Sequence, residues 1–243
     1  MTTATPDSAG HVHQTTLAFV QKIAAAFTAV VAKSITGDGY PFPPAYPGGA
    51  AYGGDTKFDI YIMNTGQYGV YGYVSREGLA AGGDGNSYYS FMVLDNNFTE
   101  FATPTETAEE AMKVTVAHEF HHAIQNGVNG VADSWYKECT STWNERNVYP
   151  AIKDNLQYLN GANGFFAKPW YPLDYSVDNR WYSTWLWNEF LTLTYGADTV
   201  KKVWDNLDAV GNNTAVTALD TFITGKSSTL LKDYRTWVAK NYS

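Results

Sequence analysis

Cysteine is nearly missing from this chain: Cys139 is alone among 243 residues, which excludes an intramolecular disulfide framework and a cysteine-based metal knuckle. Charge is also scarce, at 16% of residues, and basic charge is the scarcer kind, with 16 Lys+Arg against 24 Asp+Glu and a formal net charge of -8. No basic footprint is left for a phosphate backbone, so nucleic acid is not an expected partner. An uninterrupted apolar run of bilayer length is lacking too. The best candidate, 17–32, carries Gln21 and Lys22 inside it, and no membrane partner is expected. Phe19, Ile23, Phe27 and Val31 recur there every four residues, the period of an amphipathic helix. The stretch before it contains Asp7, unlike the short basic lead of a secretion signal. Aromatic surface, by contrast, is plentiful: 8 Trp, 18 Tyr and 12 Phe exclude disorder, and the length is ample for a sizeable core.

Periodicity divides the chain into strands first and helices after, an α+β pattern. Residues 1–13 are expected to be a flexible leader, and 14–243 a single domain with a front lobe over about 14–127 and a helical back lobe over about 128–243. The Gly/Pro-rich stretch 37–54 is expected to be an extended loop. Strands are predicted at 58–63, 70–74 and 88–94, with a loop over 78–86 between the last two. Thr107 and Glu110 make a capping-box pattern and Asn126-Gly127 a stop signal, which together predict a helix over 107–126. Further helices are expected from 133 or 134 to about 147, and near 178–195, 198–209, 213–224 and 228–240. The aromatic segment 161–178 reads as irregular. Calcium is poorly served by the 78–86 loop, where Asp84 is the single carboxylate. Asn97 to Thr99 and Asn212 to Thr214 match glycosylation sequons.

Five histidines are present, and three of them, His118, His121 and His122, fall within five residues of the predicted 107–126 helix. His118 and His122 stand at i and i+4, so both imidazoles project from one face, about a turn apart, and two nitrogens reach one Zn²⁺. Glu119 sits beside the pair, placed to take a proton from a water and return it to a leaving amine. His121 has no role in this pattern and is expected to be a packed or surface histidine. A catalytic zinc needs a third protein ligand. Spacing offers Glu138, 16 residues past His122, and Glu145, 23 past it, with a slight preference for Glu138. With one cysteine in the chain, imidazole and carboxylate are left to hold the metal.

The run from Val114 to Gln125, followed by Trp135 and Glu138, resembles the gluzincin metallopeptidases. In that clan His-Glu-x-x-His precedes a helix whose Glu, often within Trp-x-x-Glu-Gly, is the third zinc ligand, as in aminopeptidase N relatives. The likeness is closer to secreted bacterial metalloproteases of the clan, in which a segment similar to Gly53–Tyr61 precedes the zinc helix. The resemblance implies a zincin-like α+β fold, with a small mixed sheet and active-site helix in the front lobe and a mainly helical C-terminal lobe. It implies zinc as cofactor, a peptide or protein substrate, a secreted location, and His118, His122 and Glu138 as ligands with Glu119 as general base. Tyr182, in a stretch similar to the clan's later helix, is implied as the oxyanion donor, with Tyr175 next in line. A monomer is the expected state. The sequence departs from the clan at Cys139, where Gly is usual, and at His121, where an apolar residue is usual. Those departures keep alive a second reading, a zinc-binding or degenerate-protease adhesion module without proteolysis. A metal-independent carbohydrate-binding domain rests on aromatic content alone.

Overall fold

Two elements of opposite kind meet at the centre of the molecule: an eight-residue strand whose residues are nearly all buried, and a 22-residue helix buried around most of its circumference. The computed structural model describes residues 14–49, 54–103, 105–177, 180–209 and 214–242. The expected leader at 1–13, residues Gly53, Asn179 and Gly211, and most of the second sequon lie outside these.

The strands β1 (Ile60–Met63), β2 (Gly72–Leu79) and β3 (Tyr88–Asp95) form a mixed sheet in the order β1-β3-β2. β1 runs parallel to β3, with Ile60 opposite Met92, and β2 runs antiparallel to it, with Gly72 opposite Leu94. β3 is central, which explains why its sequence is an apolar run and not an alternation. β2 is an edge strand, and it is longer and later than the predicted 70–74: it absorbs Gly78 and Leu79, which were expected to open a loop. The pairing survives there through a bulge between Arg76 and Gly78. Gly78 permits it because a Cβ at that position would collide with the Tyr89 hydroxyl.

Helix α1 (Leu17–Val31), capped by the Thr16 side chain accepting the Phe19 N–H, buries Ile23, Ala26 and Val30 and packs against α2 (Ala108–Asn129). A π turn, Ala32–Gly37, extends it. Together Leu17–Gly37 is long and apolar enough to cross a membrane by length and composition. α2 begins in the expected capping box: Thr107 accepts the Glu110 N–H at 3.2 Å and Glu110 accepts the Thr107 N–H at 2.8 Å. Its end is a correction, for the helix passes through Asn126-Gly127 to Asn129. Gly127 is there for closeness and not for a stop: a Cβ would lie 2.6 Å from Cδ of Pro44, where the 37–49 loop crosses the helix.

Beyond α2 come α3 (Ser134–Val148), the short α4 (Gln157–Asn160), α5 (Arg180–Ser183), α6 (Trp185–Tyr195), α7 (Thr199–Ala209), α8 (Ala215–Thr224) and α9 (Leu230–Asn241). The single helix expected over 178–195 is broken at Thr184, whose hydroxyl donates to the Trp181 carbonyl at 2.6 Å. One contiguous apolar core runs from α1 and β3 through α2 and α3 to Trp187, Trp204 and Trp237 of the later helices. The architecture is mixed α+β, a small three-stranded sheet with mostly helices.

Candidate metal centre

α3 returns antiparallel along α2, so that Glu138 faces His122 and Glu145 faces His118; Asn144 fixes the register by donating to the Ala117 carbonyl at 3.0 Å. The i, i+4 spacing on α2 stands the two imidazoles with centroids 4.8 Å apart. Seven residues separate the two glutamates of α3, close to two full turns, so both reach the same side. His118, His122 and Glu138 each offer a ligand atom within 4.8 Å of the others, a group that could hold a metal ion and the only such group among the described residues. The choice that spacing left open therefore has a geometric answer: Glu138, not Glu145, joins the histidines.

Hydrogen bonds orient both imidazoles. Glu145 Oε1 lies 2.6 Å from Nδ1 of His118, so that nitrogen carries a proton toward the carboxylate. Gln125 donates its amide to the Lys137 carbonyl, Thr140 and Ser141 at 3.0–3.1 Å. Its oxygen is thereby turned to Nδ1 of His122, at 2.8 Å. Both Nε2 atoms point at Glu138, at 3.3 and 3.4 Å from its Oε2. Outer partners of this kind orient imidazole ligands and raise their basicity.

The electrostatics favour positive charge at this point. Burial opposes a charged Glu138, but His122 and His118 bring it well below the usual carboxylate range. Burial likewise opposes a charged His118, yet the bonds to Glu138 and Glu145 outweigh it and raise its pKa. A metal cation competes with protons for such sites. Glu119 is buried, and burial raises its pKa against the pull of His118 and His122. It lines a cleft of about 220 Å³ with His118, Tyr71, Asp154, Tyr158 and Tyr182. Tyr182 stacks on Tyr158, ring centroids 5.0 Å apart, and its ring lies 6.0 Å from His118. Burial and the charges of Glu138 and Glu119 raise its pKa. Tyr175 stacks on Tyr171 instead and does not line the cleft.

His121 is fully buried, its ring edge-on to Tyr40 at 5.2 Å, with neither nitrogen partnered; burial, then His122 and His118, push its pKa well down. Cys139 is a small buried thiol that accepts from Asn188 at 3.3 Å, and burial pushes it up to about 12. That leaves little thiolate for redox chemistry. Asp84 accepts the Asn86 N–H at 2.8 Å, an Asx turn. Gln125 and Ser141 were missed by sequence reasoning; the signal was Gln125 standing at i+3 from His122.

No family model, curated protein or solved structure matches the chain.

Proposed function

We propose that the chain is a zinc-dependent metallopeptidase of gluzincin type and zincin-like fold, secreted to act on peptides or proteins. The observation that carries this reading is a distance match between Glu138 and each of the two histidines. Two donors bound at about 2.0–2.1 Å to one tetrahedral ion stand about 3.3–3.4 Å apart, and Glu138 Oε2 lies 3.3 and 3.4 Å from the two Nε2 atoms. The two-nitrogen, one-oxygen donor set suits zinc and leaves the fourth position for a reacting group. When bound, zinc supplies Lewis acidity that acidifies water and polarises a carbonyl.

The remaining work falls to the chain's own residues. Glu119, one position from His118 and facing the same cleft, takes the proton of the attacking water and passes it to the departing amine. Its raised pKa suits both halves of that exchange. Tyr182, which lines the cleft with Glu119 and His118, donates its hydroxyl to the oxyanion of the tetrahedral intermediate. β2, the sheet edge among the described residues, borders the cleft at Gly72, and an extended peptide can lie along it.

The test is metal analysis followed by proteolysis. Protein purified without added metal should carry one zinc per chain, and should cut casein or a peptide library. Glu119→Gln should keep the zinc and lose 10²–10⁴-fold in kcat. A metal-free preparation that refuses zinc overturns the reading. Zinc without cleavage in either protein favours the binding module.

A further inference from the structure

On the His122 side of the metal centre, α3 and β2 enclose a second cleft of about 450 Å³, lined among others by Arg76, His122, Asn126, Ser134, Lys137 and Glu138. Its charge runs against the rest of the molecule. The chain is acidic, at a net charge of -8, yet the one carboxylate lining this cleft is Glu138, which is turned to both imidazoles. Arg76 and Lys137 ion-pair with no carboxylate among the described residues.

What holds these two like charges together is a single neutral acceptor. Arg76 Nη1 donates to the Gly130 carbonyl at 2.8 Å and Lys137 Nζ donates to the same oxygen at 2.7 Å. The guanidinium also lies over the ring of Tyr88, 4.9 Å from its centroid. Tyr88 can sit there because Gly130 has no side chain: a Cβ would lie 2.5 Å from Cδ2 of the ring. One side of the guanidinium fork is thus fixed by a ring and a carbonyl, while the fork has five N–H groups and the ammonium three. Among the described residues most of those donors are left for a ligand, in a geometry set before the ligand arrives.

Arg76 lies on the edge strand, four residues from Gly72, which borders the other cleft. At about 3.3 Å per residue that is about 13 Å, so a peptide lying along β2 and crossing the metal centre brings a residue near its scissile bond to Arg76. The opposite cleft has Glu119, Glu145 and Asp154 and no Lys or Arg among its lining residues. The two sides of the centre therefore differ in charge.

We propose that Arg76 and Lys137 form a carboxylate-recognising subsite, selecting substrates that place an acidic side chain or a C-terminal carboxylate on the His122 side of the centre. This rests on the peptidase reading for its substrate. A purely structural alternative is visible, since both side chains also cap the C-terminal end of α2 at Gly130.

The test uses zinc-loaded protein and matched peptides, acetylated and amidated, carrying Glu, Gln or Lys at each position around a cleaved bond, with a second set comparing free and amidated C-termini. Glu should exceed Gln at least tenfold in kcat/KM at one position, or the free acid should exceed the amide by as much, which assigns the carboxylate to the side chain or the terminus. Arg76→Gln and Lys137→Gln should collapse that ratio toward one, and Arg76→Glu should reverse it in favour of Lys. Equal turnover of all forms, or variants that slow every peptide in parallel with the ratio kept, overturns the subsite. Fluorescence anisotropy of the same peptides on Glu119→Gln protein separates the two readings. Tighter, salt-sensitive binding of the acidic peptide with no cleavage by wild type sinks the peptidase and keeps the subsite; cleavage with neither preference nor differential binding does the reverse.

Discussion

Glu145 holds His118 from behind: its Oε1 lies 2.6 Å from Nδ1, on the opposite side of the ring from Glu138. The carboxylate is buried and its second oxygen has no partner, and burial pushes its pKa up to about 7 against the pull of His118. A buried carboxylate in that position is costly unless its bond to the imidazole matters. Glu145→Gln keeps the shape and an acceptor oxygen but removes the charge. Zinc affinity, read by competition with a chromophoric chelator, should fall about 10–100-fold, as should that of Gln125→Ala on the His122 side. Glu138→Ala should lose more than either. Equal affinity in Glu145→Gln and wild type would show that the outer shell does not tune the metal.

Tyr182 offers a cleaner kinetic signature. Its ring is already fixed against Tyr158, so Tyr182→Phe removes one hydroxyl and little packing. A donor used only in the transition state should cost about 10²–10³-fold in kcat with KM little changed. A rise in KM at constant kcat would instead make Tyr182 a substrate-binding ring.

Gly127 tests the fold independently of the chemistry. Alanine normally strengthens a helix interior by about 1 kcal/mol over glycine, but here the new methyl meets Pro44. Overpacking of this kind costs about 1–3 kcal/mol, so Gly127→Ala should lower the denaturation midpoint. A gain in stability would mean that the 37–49 loop yields freely.

Local signals made the α2 residues of the candidate site legible in the sequence, because His118, Glu119 and His122 share one helix and helical spacing alone sets their faces. The capping box at Thr107 and Glu110 was legible for the same reason. Glu138 against Glu145 was not, since both lie on the same side of α3 and only the tertiary register, set by contacts such as Asn144 to Ala117, says which meets an Nε2. Gly127 misled because a glycine that permits close approach is identical in sequence to one that ends a helix. The break at Thr184 was hidden likewise, in a segment whose aromatic spacing suits a continuous helix. Arg76 was unremarked because its significance depends on Lys137, 61 positions away, reaching the same carbonyl.

The last expectation concerns pH. Glu106 and Asp154 line one cleft; burial first, then the neighbouring Asp154 carboxyl, push Glu106 up to about 8, and burial also raises Asp154. A carboxyl whose folded pKa exceeds its unfolded value near 4.3 holds a proton that the unfolded chain has lost. Between about pH 4.5 and 8 the native state therefore binds more protons, and stability falls as pH rises through that window. The limiting slope is about 1.4 kcal/mol per pH unit for one proton, and Glu106 is partly exposed, so solvent screening leaves a smaller effect. Urea unfolding should give a lower midpoint at pH 8.5 than at pH 6. Glu106→Gln, which mimics the protonated acid, should flatten that dependence and raise the midpoint at pH 8.5. A variant that keeps the wild-type slope would place the titrating group elsewhere.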